Sequence, residues 1–161
     1  YRIQELFGGE TVKKTAAGRS RAVSGTMEIV DATVTGAEIA VDLTALASDS
    51  GRRDAAMRTQ GLETDRYPEA RFRLTEPIPL GEIPGQGVPI TVSATGELTL
   101  HGTTRPVTLE LQARWAGSVV DVAGGSPIAL ADFGIEPPRT PFVSVDDTGE
   151  FEVQLGFERT G

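Results

Sequence analysis

The stretch VSATGELTLHGTTRPVTLELQARW, residues 92–115, decides the fold class of this chain. Apolar or small side chains occupy every second position on both sides of residues 101–105, which is the period of a half-buried β-strand. Two such strands joined by a few turn residues predict a hairpin, and Gly96 predicts a bend or a bulge of the kind that closes a barrel. The predicted inward faces are Val92, Ala94, Gly96, Leu98 and Leu100, followed by Val107, Leu109, Leu111, Ala113 and Trp115.

The same alternation marks further strands along the chain. Residues 25–43 are predicted to form two strands, residues 70–75 a third, and residues 151–157 a last strand that closes the sheet against the first. Residues 83–89 are rich in glycine and proline and predict a loop. Valine, isoleucine and threonine make up 40 of the 161 residues, and glycine and proline make up 29. This composition is typical of many short strands separated by turns, and it predicts one all-β domain, a sandwich or a barrel.

One segment departs from the strand pattern and predicts a short helix. Residues 50–60 contain helix-forming alanines, Asp49 or Ser50 can cap the start, and Gly61 stands where a helix ends. We expect two to three turns with Met57 turned inward. A single helix among strands can cover one end of a barrel.

Composition excludes several classes of function. The chain contains no cysteine, which excludes disulfides, thiolate catalysis and cysteine-ligated metals. The formal net charge of −8 disfavours nucleic acid as a partner, because a nucleic-acid binder needs a basic face. No apolar stretch is long enough to span a bilayer, and no secretion signal is visible. Because the first residue is Tyr1, we expect that the chain was processed or trimmed upstream.

Four segments together resemble the YceI-like family of bacterial proteins. They are Val41-Asp42-Leu43 followed by Arg53-Asp54 and Met57-Arg58, then Tyr67-Pro68-Glu69-Ala70-Arg71-Phe72, then the hairpin segment from Gly96 to Val107, and Asp132-Phe133-Gly134-Ile135. They occur in the family's order between about residues 25 and 157 and cover most of the chain.

This resemblance implies a lipocalin-like antiparallel β-barrel of about eight strands that holds a polyisoprenoid or another long-chain lipid. It also implies that residues 1–161 form a single domain. The family usually opens with a longer first strand, so residues 1–5 are expected to be only the end of that strand.

The apolar lining is the feature that predicts a ligand. If the barrel is hollow, each buried methylene contributes roughly 0.8 kcal/mol, so three five-carbon units exceed the roughly 8 kcal/mol of a micromolar complex before ordering costs are subtracted. Periodicity alone favours a barrel filled by its own side chains, and the resemblance is what favours a hollow one. The predicted interior is Ile39, Val41, Phe72, Leu74, Val92, Leu98, Leu100, Leu109, Leu111, Trp115, Phe133, Phe151, Val153 and Leu155.

Few polar residues are candidates for chemistry. Arg53 can face a phosphate, a quinone carbonyl or a carboxylate at the cavity mouth, although the Arg53–Asp54 pair is better explained as a tie between the helix and the sheet. His101, the only histidine, is more readily explained as a residue at a hairpin end than as a general base. Asp146, Asp147 and Glu150 are better explained as an acidic turn than as a metal site.

The sequence therefore predicts a binding or carrier protein for a long-chain isoprenoid, such as a polyprenyl species or a quinone, with no catalytic step, cofactor or metal. The alternatives are a filled barrel that acts as an interaction or stress module and, less favoured, a lipid-acting enzyme. The resemblance implies a periplasmic or secreted location, loose membrane association and a monomer or dimer. The predicted ligand-binding residues are Arg53, Met57, Phe72, Leu74, Leu98, Leu100, Leu109, Leu111, Trp115 and Phe133.

Overall fold

A computed structural model describes residues 1–160 as a mainly β structure with one α-helix. Two 3₁₀ helices, Leu43–Ala45 and Leu130–Phe133, complete the regular elements. None of the described helices is long and apolar enough to cross a membrane. The helix α1 is Gly51–Thr59, and the strands are β1 (Arg2–Phe7), β2 (Lys14–Arg19), β3 (Val23–Val30), β4 (Thr33–Asp42), β5 (Ala47–Ser48), β6 (Glu69–Leu74), β7 (Ile78–Pro79), β8 (Pro89–Leu100), β9 (Thr103–Ala116), β10 (Val119–Ala129) and β11 (Val143–Glu158).

The strands form one antiparallel sheet in the order β3-β4-β6-β8-β9-β10-β11-β1-β2-β5, with β7 paired to β4. The first strand of this order, β3, and the last but one, β2, are consecutive in the chain and are joined by residues 20–22. At this link the Asp42 amide donates to the Ala22 carbonyl at 2.9 Å. The sheet therefore curls into a half-barrel, which confirms the predicted all-β, antiparallel barrel class. The pairing of β11 with β1 also follows the prediction.

The hairpin of β8 and β9 has the predicted strands but a shorter turn than predicted. Pairing runs without interruption from Pro89 opposite Arg114 to Leu100 opposite Thr103. The turn is therefore only His101 and Gly102, both with positive φ (52° and 68°), as tight hairpin turns require. The predicted turn over residues 101–105 was wrong at its second half, because residues 103–105 already pair with β8.

Gly96 has a different role from the one predicted. The continuous register shows no bulge at this position. A Cβ atom here would lie 2.6 Å from Cζ of Phe72, so the missing side chain makes room for that aromatic ring. The predicted bulge was wrong because a strand glycine also occurs where a neighbouring group approaches the backbone closely.

The end of the barrel that carries the His101–Gly102 turn, called here the lower end, has a solid apolar core. The second 3₁₀ helix contributes Leu130 and Phe133, and Ile135 follows it. They pack against Leu98 and Leu100 of β8 and are all less than 10% exposed. These side chains form a packed core at the lower end, and Leu100, Leu130 and Ile135 also border the wide cavity described below.

The helix α1 forms as predicted and is held mainly by polar contacts. The Ser50 hydroxyl accepts a hydrogen bond from the Arg53 amide at 3.3 Å and caps the start. The helix ends before Gly61, whose φ of 62° suits glycine. No residue of α1 is fully buried. Specific hydrogen bonds, described below, therefore position it.

The acidic residues near the end of the chain do not form the predicted turn. Asp146, Asp147 and Glu150 all lie within β11. Lys13 binds Asp146 at 2.8 Å, and Arg139 binds Asp147 at 3.0 Å. The turn prediction was wrong because β1 pairs with β11 on both sides of the two aspartates, at Val145 and at Gly149, so the strand continues through a register shift instead of turning.

Candidate binding cavities

An apolar cavity of about 120 Å³ lies inside the barrel above the solid lower end. Inward side chains of β3, β4, β6 and β8–β11 surround it, because alternate residues of each strand point to the interior. An engineered cavity of about 150 Å³ lined by Leu, Ile and Phe stays dry and binds benzene, so this size and lining suit an apolar guest. Six predicted ligand-binding residues line it: Phe72, Leu74, Leu98, Leu109, Leu111 and Trp115.

The prediction missed a wall of this cavity formed by the loop between β7 and β8. Leu80, Ile83, Pro84 and Val88 of this loop face the cavity. The loop is held at both ends: the Leu80 amide donates to the Ala32 carbonyl at 2.9 Å, and the Gly87 amide donates to the Trp115 carbonyl at 2.7 Å. The sequence signal was the recurrence of apolar residues within a segment otherwise typical of an exposed loop.

A second, wider cavity of about 1620 Å³ opens between α1 and strands β1, β2, β3 and β11. Of the predicted site residues, Arg53, Met57 and Leu100 line this cavity, whereas Phe133 lines neither and belongs to the core of the lower end. The two cavities adjoin each other, because they share lining residues. The shared residues are Ile39, Val41, Ala70, Phe151, Val153, Leu155 and Phe157.

Arg53 is bound tightly by the protein itself. Its Nε and Nη2 donate to the two carboxylate oxygens of Glu5, each at 2.9 Å, and Nη1 donates to Asp49 at 2.7 Å and to the Ser48 hydroxyl at 3.0 Å. The bidentate Glu5 contact raises the pKa of Arg53 further above its usual range, and Arg53 lowers the pKa of the Asp49 carboxyl.

Asp54 completes this anchor on the other side of the helix start. Its carboxylate accepts from the Ser48 amide at 3.1 Å and from the Ser48 hydroxyl at 2.6 Å. The Arg53–Asp54 pair thus ties α1 to β1 and β5. These contacts favour the structural alternative for the pair, and a direct role of Arg53 in ligand binding stays a prediction.

His101 sits at the hairpin end, as expected, and both of its ring nitrogens face protein groups. Nε2 lies 2.6 Å from Oε2 of Glu63, and Nδ1 lies 3.2 Å from the Phe133 carbonyl oxygen. The Tyr67 ring packs on the imidazole with centroids 4.3 Å apart. Since neither nitrogen is free in this arrangement, His101 is not placed to act as a general base.

The described part of the chain, residues 1–160, contains no group of three or more acidic or histidine side chains with metal-binding geometry. The charged side chains that line the cavities are instead those of arginines and glutamates. The arrangement of an apolar cavity beside a wider one that also carries charged residues is suited to holding an elongated molecule with an apolar tail and a polar end.

Comparisons with known sequences point to one family. The family profile described as YceI-like domain matches residues 5–157. UPF0312 protein VPA0850 of Vibrio parahaemolyticus is 33% identical over 104 residues, which cover 60% of this chain and 51% of the relative. UPF0312 protein PputW619_0484 of Pseudomonas putida is 33% identical over 118 residues, which cover 68% of this chain and 58% of the relative. The chain thus spans about half the length of the curated relatives it matches.

Solved structures share the fold at low sequence identity. A polyisoprenoid binding domain from Saccharophagus degradans, implicated in plant cell wall breakdown, superposes with a TM-score of 0.74 at 20% identity and covers 99% of this chain and 92% of that domain. BcnA of Burkholderia cenocepacia gives a TM-score of 0.70 at 17% identity, over 97% of this chain and 95% of BcnA. These similarities establish a shared architecture.

Proposed function

Because this chain belongs to the YceI-like domain family, we propose that it is a binding protein for a long-chain isoprenoid, such as a polyprenyl species or an isoprenoid quinone. The end of the apolar tail lies in the cavity enclosed by β3, β4, β6 and β8–β11, which has room for a group of about the size of benzene, and the rest of the tail extends along the apolar residues of the adjoining wide cavity. The related domain from Saccharophagus degradans is described as a polyisoprenoid binding domain, which supports this ligand class.

The observation that carries the proposal is the apolar cavity itself. Phe72, Leu109 and Trp115 face open space there, whereas Phe133 lies in the packed core of the lower end. A barrel that served only as a filled interaction module would not need this space, because protein interiors normally pack to the density of organic crystals. An isoprenoid tail would exchange water for apolar contacts along its whole length.

The contacts of the polar side chains support a binding role better than a catalytic one. His101 is fully engaged by Glu63 and the Phe133 carbonyl, and Arg53 is engaged by Glu5 and Asp49. An enzyme acting on a lipid would need convergent ionisable groups with free atoms directed at the reacting bond. We therefore propose carriage, with exchange of the lipid between membranes through water in the cell envelope, and no catalytic step.

The proposal is tested by extracting the purified protein with organic solvent and analysing the extract by mass spectrometry. We expect a stoichiometric long-chain isoprenoid. Added isoprenoid quinone should quench the fluorescence of Trp115, the only tryptophan of the chain, because this residue lines the cavity. An extract without lipid, together with unchanged fluorescence, would contradict the proposal. Conversion of the added lipid to a product would instead support the enzyme.

A further inference from the structure

The wide cavity has a charge opposite to that of the chain as a whole. The chain carries a formal charge of −8, yet five arginines and only three glutamates line this cavity. Two of the arginines are neutralised locally: Arg2 binds Glu152 at 3.0 Å, and Arg53 binds Glu5 at 2.9 Å. The remaining lining is cationic.

The other three arginines of the wide cavity are Arg19, Arg21 and Arg52. Within residues 1–160, no carboxylate oxygen lies within 4.0 Å of any of these three guanidinium groups, so none of them forms an ion pair. Glu150 is the one acidic residue of the lining besides Glu5 and Glu152. By contrast, both arginines of the apolar cavity are paired: Arg71 binds Glu38 and Glu69, and Arg114 binds Asp121. Unpaired guanidinium groups are thus confined to the wider of the two cavities.

The fold gathers these three arginines at one opening. Arg19 ends β2 and pairs with Ala47 of β5, and Arg21 lies in the link to β3. Arg52 lies in the first turn of α1, which begins three residues after β5. The wide cavity that they line adjoins the apolar cavity, because Ile39 and other residues line both. An elongated ligand can therefore extend from the apolar cavity into a cationic mouth.

We propose that Arg19, Arg21 and Arg52 bind the phosphate head group of an isoprenoid phosphate whose tail occupies the apolar cavity. The guanidinium group presents parallel donors that match phosphate oxygens, and it stays charged at any physiological pH. This inference rests on the proposed function and narrows it, because it favours an anionic isoprenoid over a neutral quinone or alcohol.

The test compares farnesol with farnesyl monophosphate, which share one tail and differ only in the phosphate. Affinities are measured by the fluorescence of Trp115. Because each solvent-exposed charge pair contributes modestly, we expect the phosphate to bind roughly tenfold more tightly than the alcohol at low salt. High salt should remove this preference and leave the affinity for farnesol unchanged.

The variant R19Q/R21Q/R52Q should lose the preference for the phosphate and keep the affinity for farnesol. Arg58→Gln is the matched control, because Arg58 lies on the same helix as Arg52, forms no ion pair with any residue from 1 to 160 and lines neither cavity. Circular dichroism verifies that each variant is folded.

Equal affinities for the two ligands in the unmodified protein would overturn the head-group site and leave isoprenoid binding standing. Failure to bind either ligand would remove both proposals. Binding of isoprenoid-free anionic phospholipid vesicles through the same arginines, without a preference for farnesyl monophosphate, would show that they face a membrane surface and would also overturn the site.

Discussion

The imidazole Nε2 of His101 lies 2.6 Å from the Oε2 atom of Glu63, and this contact joins the β8–β9 turn to the loop that follows α1. Both residues have positive φ, 52° for His101 and 49° for Glu63, which is uncommon for residues other than glycine. Such backbone conformations persist where surrounding contacts hold them. The contact between the two side chains therefore stabilises both backbone segments in their uncommon conformations.

Replacing Glu63 by alanine is expected to destabilise the fold by about 1–3 kcal/mol, the usual effect of leaving a buried polar partner unsatisfied. His101 is only 10% exposed in its side chain, so water cannot fully replace the carboxylate. Glu63→Gln should recover much of the loss, because its amide can donate to a ring nitrogen. Urea unfolding measures the difference, and equal stability of Glu63→Ala and the unmodified protein would show that the contact contributes nothing.

A second prediction concerns the effect of His101 on ligand uptake. His101 lines neither cavity, so His101→Ala should leave lipid uptake nearly intact while lowering stability. Uptake is measured by the fluorescence of Trp115 at a temperature where the variant is fully folded. A large loss of uptake under those conditions would give His101 a part in binding.

Filling the apolar cavity should abolish binding without unfolding the protein. Ala113 of β9 lines the cavity, so the ring of Ala113→Phe enters space that is open rather than packed. Ala116→Phe is the control, since Ala116 is an exposed residue of the same strand and does not line the cavity. We expect loss of lipid from the solvent extract only for Ala113→Phe. Retention of the full amount by that variant would place the lipid elsewhere.

The ion pair of Glu5 and Arg53 should contribute far more to stability than exposed pairs do. The side chains are only 9% and 19% exposed, so Glu5→Ala leaves a charged guanidinium in a poorly hydrated place, at a cost of about 3–5 kcal/mol. Glu152→Ala removes the exposed partner of Arg2 and should cost less than about 1 kcal/mol. Chemical unfolding compares the two variants, and similar losses would mean that burial has no influence here.

Asp42 is expected to stabilise the fold in a pH-dependent way. Hydrogen bonds from the Thr44 hydroxyl at 2.6 Å and the Thr44 amide at 2.8 Å lower the pKa of the Asp42 carboxyl below its usual 3.8. A lowered pKa in the folded state stabilises above the usual pKa, and this contribution disappears as pH falls through the lowered value.

The Asp42 prediction is measured as the stability difference between the unmodified protein and Asp42→Ala. This difference should be constant near neutral pH and shrink below about pH 4. A difference that is the same at pH 7 and pH 2.5 would contradict an effect of the ionised carboxylate. Asp121, whose hydrogen bond joins it to an exposed arginine instead, provides a matched Asp121→Ala control.

Local patterns predicted the elements that have one buried face. The alternation from Val92 to Trp115 predicted β8 and β9 and their inward residues, because a half-buried strand must separate apolar from polar residues. Ser50 and Gly61 predicted the ends of α1 for an equally local reason, since both act on backbone groups within one turn.

Predictions failed or fell short where a residue's role depends on something distant in the chain. The two-residue turn needed a histidine with positive φ, a conformation supported by contacts with Glu63 and Phe133 that lie more than thirty residues away. Gly96 leaves room for the ring of Phe72, which belongs to another strand. The alternation of residues within β8 does not reveal this contact. The loop ending at Val88 is exposed by composition and becomes a cavity wall only through its bonds to two hairpins.

By itself the sequence determined the fold class, most of the strands, the helix and an apolar interior, since hydrophobic periodicity and capping act over a few residues. Only the tertiary structure decided which apolar residues surround space and which fill it. Leu98 lines the apolar cavity and Leu100 the wide one, whereas Phe133, predicted to face the same interior, lines neither and packs in the core. The reason is that a side chain borders a cavity only if no residue of the opposite wall fills the space in front of it. Which residue lies opposite depends on how the whole sheet closes.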